Sequence, residues 1–350
     1  MKIAFIIPSL RNLGPIIVVE NIIHLLSKKN DIEITVFYFD HFESDILNFE
    51  VTCKKISFFK NYDFSGYDVI HTHGLRPDIY TFFNRSCKYH ISTQHNIIFD
   101  EYIINNSYIK AKLIEKLWVL SLKNKNKVVA IGETARKYYQ KFFVDKEKVL
   151  NIPNGRSICK SGNISEVDLR LIKSFKKDYI CIGTCTRAIK LKGHKQIIQA
   201  LVEMKNFCFI LVGEGDYLDE LKSLACELGV VDRCLFLGYR KNATDYLSQF
   251  DIFSQTSYTE SISIALLEAA AAKKAIVCSD IPVNRDVFLE NEVSFFIPDD
   301  IPSLISAIKN IALDISKYEN NVFNKYQKEY TSEIMSERYY DLYKSIIYEF

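Results

Sequence analysis

Short runs of consecutive apolar residues recur along the chain, and stretches with an apolar residue at every third or fourth position lie between them. KIAFII (2–7), EITVFYF (33–39), DVIHTH (68–73), YHISTQ (89–94) and KVVAI (127–131) have the length and the β-branched and aromatic content of strands. The pattern restarts after residue 155. YICIGTC (179–185), FCFILVG (207–213), CLFLG (234–238), DIFSQ (251–255) and AIVCS (275–279) read as a second set, with helical patterns near 194–204, 216–229, 243–249 and 263–274 between them. Strands that are apolar on both faces and alternate with helices predict parallel sheets covered by helices on both sides. Two such series predict an α/β chain of two Rossmann-like domains.

The turn residues of NIPNGRS (151–157) mark the boundary, because Pro153 and the Asn154–Gly155 pair break regular structure. The expected domains are 1–155 and 156–330, with a helix near 331–350 free to pack back on the first. A length of 350 residues suits two domains. The net charge of +2 does not imply nucleic-acid binding. It is unevenly spread: residues 1–155 carry 21 basic and 16 acidic side chains, and residues 156–350 carry 24 and 27. The nine cysteines are scattered, with no CxxC pair, and read as buried thiols of a reducing cytoplasm rather than as zinc ligands. The N-terminal apolar run is too short for a signal peptide, and no segment approaches the ~18 apolar residues of a membrane span.

The stretch TESISIALLEAAA (259–271) carries two glutamates, Glu260 and Glu268. On one continuous helix they would stand about 12 Å apart along the axis. That is wider than the roughly 5–9.5 Å between the paired carboxyls of glycoside hydrolases. A strand ending at DIFSQ, a turn, and a helix capped by Ser261 or Ser263 fit better. Glu260 then precedes the helix and Glu268 lies about two turns in. The free N–H groups between them suit a diphosphate, and the two carboxylates suit hydroxyls at the two ends of an extended ligand. The spacing alone fits a capped core helix with incidental acids equally well. Upstream, GTCTRAIKLKGHKQII (183–198) places Arg187 and Lys192 in a loop at a strand end, where such folds bind ligands. The pair could clamp a diphosphate, although each taken singly reads as a solvated surface charge.

In this order the segments resemble the retaining glycosyltransferases of family 4, which have the GT-B fold, two Rossmann-like domains whose parallel sheets face each other across a cleft. The resemblance rests on Gly14 after the first strand, DVIHTHG (68–74), STQH (92–95), IGETARKYY leading to NIPNG, the Arg187–Lys192–Gly193 loop, FILVGEGDYLDEL (209–221), CLFLGYR (234–240) and TESISIALLEAAAAKKAIVCSD (259–280). It implies transfer of a hexosyl or N-acetylhexosaminyl group from a nucleotide-diphosphate sugar, a UDP-sugar above all, to a hydroxyl of a saccharide or lipid-linked saccharide, in bacterial cell-surface polysaccharide synthesis. It implies that Glu260 contacts the donor sugar and Glu268 the ribose. Backbone amides of Ser261, Ile262, Ser263 and Ile264 meet phosphate and sugar. Arg187 and Lys192 bind the diphosphate, and Gly213 and Gly215 line the donor site. The CLFLGYR segment flanks the base, and His95 stands near the reacting carbon. No metal or other cofactor is implied, the acceptor proton passes to a donor phosphate oxygen, and the acceptor belongs to the first domain.

Two positions depart from the family pattern. Gly14 is followed by Pro15 where a second glycine is usual. Proline there either removes an N–H from the acceptor and phosphate loop or simply starts the helix. Ser261 stands where glycine is common after the first glutamate. His71 and His73 alternate on one strand, share a face, and read as structural rather than as metal ligands. YIKAKLIEKLWVLSLKNKNK (108–127), with six lysines, one glutamate and Leu113, Leu117, Trp118 and Leu120, fits both an ordinary covering helix and peripheral contact with an anionic membrane at the inner face of the cytoplasmic membrane. Two rival readings are a sugar-nucleotide epimerase or hydrolase of similar fold and a non-catalytic binding subunit.

Overall fold

The computed structural model describes residues 1–103, 106–158, 164–260 and 264–348. The chain divides into two compact units, Met1–Gly155 with Glu329–Phe350, and Arg156–Lys328. The first is built on seven strands, β1 (Lys2–Ser9), β2 (Glu33–Asp40), β3 (Thr52–Lys55), β4 (Val69–His73), β5 (Tyr89–Gln94), β6 (Lys127–Ala130) and β7 (Val149–Asn151). They lie in the order β3-β2-β1-β4-β5-β6-β7, every neighbouring pair parallel. The second unit has β8 (Ile180–Thr184), β9 (Phe207–Val212), β10 (Cys234–Gly238), β11 (Ile252–Gln255), β12 (Ala275–Ser279) and β13 (Ser294–Phe296). Their order is β10-β9-β8-β11-β12-β13, again all parallel.

The interior strands are the ones with continuous apolar runs. Ile3–Ile7 of β1 and Phe207–Val212 of β9 are buried on both faces, because helices cover both sides of each sheet. Three strands escape the apolar pattern: β3, β7 and β13. Each lies at the end of its sheet, is three or four residues long, and pairs on one side only. The exposed Lys54 and Lys55 of β3 blunt an edge that would otherwise accept a further strand.

The Gly14–Leu26 helix starts with Pro15 in its first turn, where a missing N–H costs nothing. Against it packs the C-terminal Ser332–Tyr348 helix. Lys29 and Glu337 pair at 2.8 Å, and Tyr340 donates to Asp31 at 2.6 Å. Gly155 faces the start of this helix so closely that a Cβ would lie 2.2 Å from the Thr331 carbonyl oxygen.

The Tyr108–Leu122 helix buries Ala111, Glu115, Trp118, Val119 and Leu122 and leaves Ile109, Leu113, Leu117 and Leu120 exposed. Trp118 therefore parts from the leucines with which its position in sequence groups it. Its Nε1 donates to the fully buried Asp78 at 2.7 Å. The same carboxylate accepts from Thr72 Oγ1 at 2.5 Å and from Gln94 Nε2 at 3.0 Å, and the Lys125 ammonium stands 3.7 Å away. A buried charge pair contributes stability only while both partners are present. Asp78→Ala should therefore lower the stability of the first unit by about 3–5 kcal/mol, since it leaves the buried Lys125 without its counter-charge. Trp118 is the single tryptophan, so its fluorescence in a denaturant titration follows this unit, and a loss under about 1 kcal/mol would show the network to be marginal.

Candidate functional site

In the second unit β8 and β11 are neighbours, but the chain leaves β8 toward β9 and β10 and leaves β11 toward β12 and β13. Connections that diverge in this way leave a gap at the carboxyl ends of the two strands, where open α/β sheets bind ligands. The register sets Phe253 beside Gly183, so both strands end level at that gap. The loop after β8 carries Arg187, Lys192 and Gly193, and the loop after β11 carries Thr256 to Glu260.

The two loops are bonded together. Thr256 Oγ1 donates to the Lys192 carbonyl at 2.9 Å, and the Tyr258 amide to the Leu191 carbonyl at 3.0 Å. Gln196 Nε2 donates to the carbonyls of Gly193, at 3.2 Å, and Thr256, at 2.9 Å. Gly193 has φ +63°, and a Cβ there would lie 2.2 Å from the Thr256 oxygen, so glycine is required. This contact brings the side chains of Lys192 and Glu260 together, 15% and 11% exposed, with Nζ 2.5 Å from Oε1. Ser257 Oγ donates to the same Oε1 at 2.6 Å. One carboxylate oxygen is thus saturated, and Oε2 has no partner among the described residues. Arg187 is exposed and also without a side-chain partner among them.

Gly213 and Gly215 follow β9 and pack under the same loop. A Cβ on Gly213 would lie 2.0 Å from the Thr186 oxygen, and one on Gly215 2.2 Å from that of Ala188. Ala188 in turn donates its amide to Glu214 at 2.8 Å. His194 anchors the loop from below, its Nε2 3.1 Å from the Arg187 carbonyl and 3.2 Å from Thr186 Oγ1. Burial pushes this imidazole down to about 4, so it is neutral at pH 7.

Glu268 is the fifth described residue of the Ile264–Ala271 helix. Ser261, Ile262 and Ser263 lie outside the described residues, and Ile264 is the first residue of the helix. Arg156 places both Nε and Nη2 2.9 Å from Glu268 Oε1. Burial raises the Glu268 carboxyl above its ordinary range, and Arg156 pulls it back. The Cys185 thiol, pushed up by burial first, feels the same carboxylate. In the CLFLGYR segment Arg240 grips Asp168 at 2.7 and 2.9 Å and holds it down to about 2, while Tyr239 is exposed.

In the first unit the diverging strands are β1 and β4. Gly14 is exposed at the first position of the helix that follows β1. His95, just past β5, has Nε2 2.9 Å from His73 Nδ1. His71 Nδ1 meets Tyr343 Oη at 2.7 Å, and its Nε2 meets Thr93 Oγ1 at 2.8 Å. The rings of His71 and His73 lie 4.3 Å apart on one face. Burial makes all three imidazoles neutral, with His71 pushed down to about 3 and His95 to about 4. Among the described residues no group of three His, Cys, Asp or Glu is arranged to hold a metal ion.

Arg156, Ser257 and His194 were not singled out from sequence. Arg156 stands 112 positions before its partner, and nothing local to either residue points to the other.

Two family models match the chain, Glycosyltransferase Family 4 over residues 31–158 and Glycosyl transferases group 1 over residues 168–329. The O-antigen biosynthesis glycosyltransferase WclY of Escherichia coli is 27% identical over 360 residues, covering 100% of this chain and 99% of that protein. A UDP-Gal:alpha-D-GlcNAc-diphosphoundecaprenol alpha-1,3-galactosyltransferase of Escherichia coli is 25% identical over 277 residues, 74% of this chain and 70% of that protein. Anabaena Alr3699/HepE, solved in complex with UDP, superposes with a TM-score of 0.83 at 16% identity, over 99% of this chain and 100% of that one.

Arg156→Met should raise the Glu268 carboxyl further, because it removes the cation that opposes burial. A carbon-detected NMR titration of the carboxyl should place the variant's midpoint above that of the unaltered protein. An equal or lower midpoint would mean that Arg156 does not govern this group.

Proposed function

Because this chain belongs to the family 4 glycosyltransferases of GT-B fold, we propose that it is a retaining enzyme using a UDP-sugar. It transfers a hexosyl or N-acetylhexosaminyl group to a hydroxyl of a saccharide or lipid-linked saccharide during cell-surface polysaccharide synthesis. The observation that carries this reading is the convergence, at the diverging strands β8 and β11, of a Lys192–Glu260 pair that leaves Oε2 open, an Arg187 with no side-chain partner among the described residues, and the Arg156-bound Glu268. The UDP bound to Anabaena HepE supports the choice of nucleotide. The O-antigen role of WclY and the diphosphoundecaprenol acceptor of the galactosyltransferase support the pathway class and the acceptor.

The residues divide the work along the donor. An ammonium has three protons; Lys192 spends one on Glu260 and turns the others to the diphosphate beside Arg187. Glu260 offers Oε2 to sugar hydroxyls, and Glu268 offers its second oxygen to the ribose. The C1–O bond to the nucleotide breaks while the acceptor oxygen bonds to C1 on the same face. The acceptor proton passes to a phosphate oxygen of the departing nucleotide. Arg187, Lys192 and the helix end take up the leaving group's charge, so no metal is needed. His95, neutral through burial, and the Gly14 loop are assigned to the acceptor.

Enzyme and membrane meet through the Tyr108–Leu122 helix. Ile109, Leu113, Leu117 and Leu120 form one exposed stripe at helical spacing, with Lys110 and Lys116 also exposed on this helix and Lys123 exposed just past its end. Among the described residues no helix is long and apolar enough to cross a membrane, so the contact proposed is peripheral, at the inner face of the cytoplasmic membrane. Leu113→Asp with Leu117→Asp should release the protein from sedimenting phosphatidylglycerol vesicles. Retention equal to that of the unaltered chain would remove this helix from the contact.

Turnover of UDP-sugars with a lipid-linked saccharide, followed by mass spectrometry in EDTA, tests the reaction. Transfer requires the acceptor, whereas an epimerase acts without it and a binding subunit does neither; full loss in EDTA restored by Mg²⁺ would overturn metal independence. In the same assay Glu260→Gln should slow transfer about tenfold to a hundredfold while free UDP still binds, because UDP has no sugar to lose. Glu268→Gln should weaken UDP itself. Equal effects on UDP affinity would contradict this division of roles.

A further inference from the structure

The first unit has a polar cavity at the amino ends of β5 and β6, the opposite edge of the sheet from Gly14 and His95. It encloses about 220 Å³ and is lined chiefly by Arg85, Lys88, His90, Asn124, Lys125 and Asn126, with no acidic residue on its wall. Arg85 and Lys88 come from the segment that leads into β5, and the other basic wall from the turn between the Tyr108–Leu122 helix and β6. The Arg85 and Lys88 side chains are exposed, and neither forms an ion pair among the described residues.

Lys125 is the second observation. It is 2% exposed, and its ammonium donates to Thr81 Oγ1 while the Asp78 carboxylate stays 3.7 Å away. Three ammonium protons thus share one hydrogen bond and one long contact, and burial pushes the group down to about 8. Asp78 is already committed to Thr72, Gln94 and Trp118. His90, across the cavity, is held near about 4 by burial first and then by the charges of Lys125 and Arg85. The cavity is therefore positive, with the side-chain amides of Asn124 and Asn126 on its wall, while the single N–H of the neutral His90 ring is spent on the Cys87 carbonyl at 3.1 Å.

We propose that this cavity binds a phosphate-class anion, held by Arg85, Lys88 and the buried Lys125. The anion gives the Lys125 ammonium the acceptor it lacks, which a solvated surface charge would not need. The ligand chemistry is shared by a free phosphate and by the phosphodiester of a lipid headgroup. The second source is favoured by the sequence neighbourhood of the site, since Lys125 lies in the turn that follows the helix bearing the exposed leucine stripe.

Calorimetry with inorganic phosphate and with sub-micellar dihexanoyl-phosphatidylglycerol separates the two sources. Three proteins are compared: the unaltered chain, Arg187→Ser, which removes a competing cation of the nucleotide loop, and the double variant Arg85→Ser, Lys88→Ser. Both altered positions in the double variant are exposed, and Trp118 fluorescence checks that the unit is folded. One anion or both should bind the unaltered chain and Arg187→Ser alike, and the double variant should bind at least about tenfold more weakly. Preference for the lipid assigns a headgroup, and preference for inorganic phosphate assigns a free anion. No binding of either anion to the unaltered chain, equal affinity in the double variant, or loss of all binding in Arg187→Ser would overturn the site.

Discussion

The gap between β8 and β11 is the constraint on which the candidate site depends. Parallel strands cannot be joined by tight turns, so each needs a crossover, and where two neighbours send their crossovers to opposite sides the loops above them part. Everything placed there must then be held by contacts across the gap. Gly193 in a left-handed conformation, Gln196 reaching two carbonyls, and Thr256 capping the Lys192 carbonyl perform that task with backbone and neutral groups. Of the charged side chains there, Arg187 is exposed, while Lys192 and Glu260 meet each other. The nearby glycines serve the same end, since Gly213 and Gly215 let two strand-end loops approach to a distance that a Cβ would forbid.

Four cation–carboxylate contacts show how burial changes what one kind of pair can do. Arg240 binds Asp168 through two bonds, Tyr246 adds a third, and the carboxylate is held well down, so this group is saturated and structural. Asp78 and Lys125 are fully buried and only loosely opposed, which makes them costly to disturb and leaves the lysine short of acceptors. The pairs at Glu260 and Glu268 are intermediate. In each, a single oxygen carries all the protein contacts and the other has no partner among the described residues. A carboxylate oriented through one oxygen and open at the other is suited to accept hydroxyls from a ligand.

The interior strands were legible because two-sided burial forces unbroken apolar runs, as in KIAFII and FCFILVG. The edge strands β3, β7 and β13 were not, since one free edge and a short length leave almost no pattern to read. Loop chemistry was legible to the extent that it is local. The order of Arg187, Lys192, Gly193, Glu260 and Glu268 along the chain is enough to place cations and acids at successive strand ends.

What the sequence by itself determined was the alternation of elements, and with it two parallel sheets, their internal strands and the residues that must emerge at the carboxyl ends. What only the tertiary structure decided was which of those residues meet. Lys192 and Glu260 are 68 positions apart, Arg156 and Glu268 112, and Lys125 and Thr81 44. Nothing in a local pattern encodes such distances, because a side chain's partner depends on strand order and register, which arise when the whole sheet forms. The direction of Trp118 has the same origin. A helix with leucine on one face and tryptophan on another can bury either, and the fully buried Asp78 carboxylate, needing a donor, decides that the tryptophan turns inward and the leucines remain at the surface.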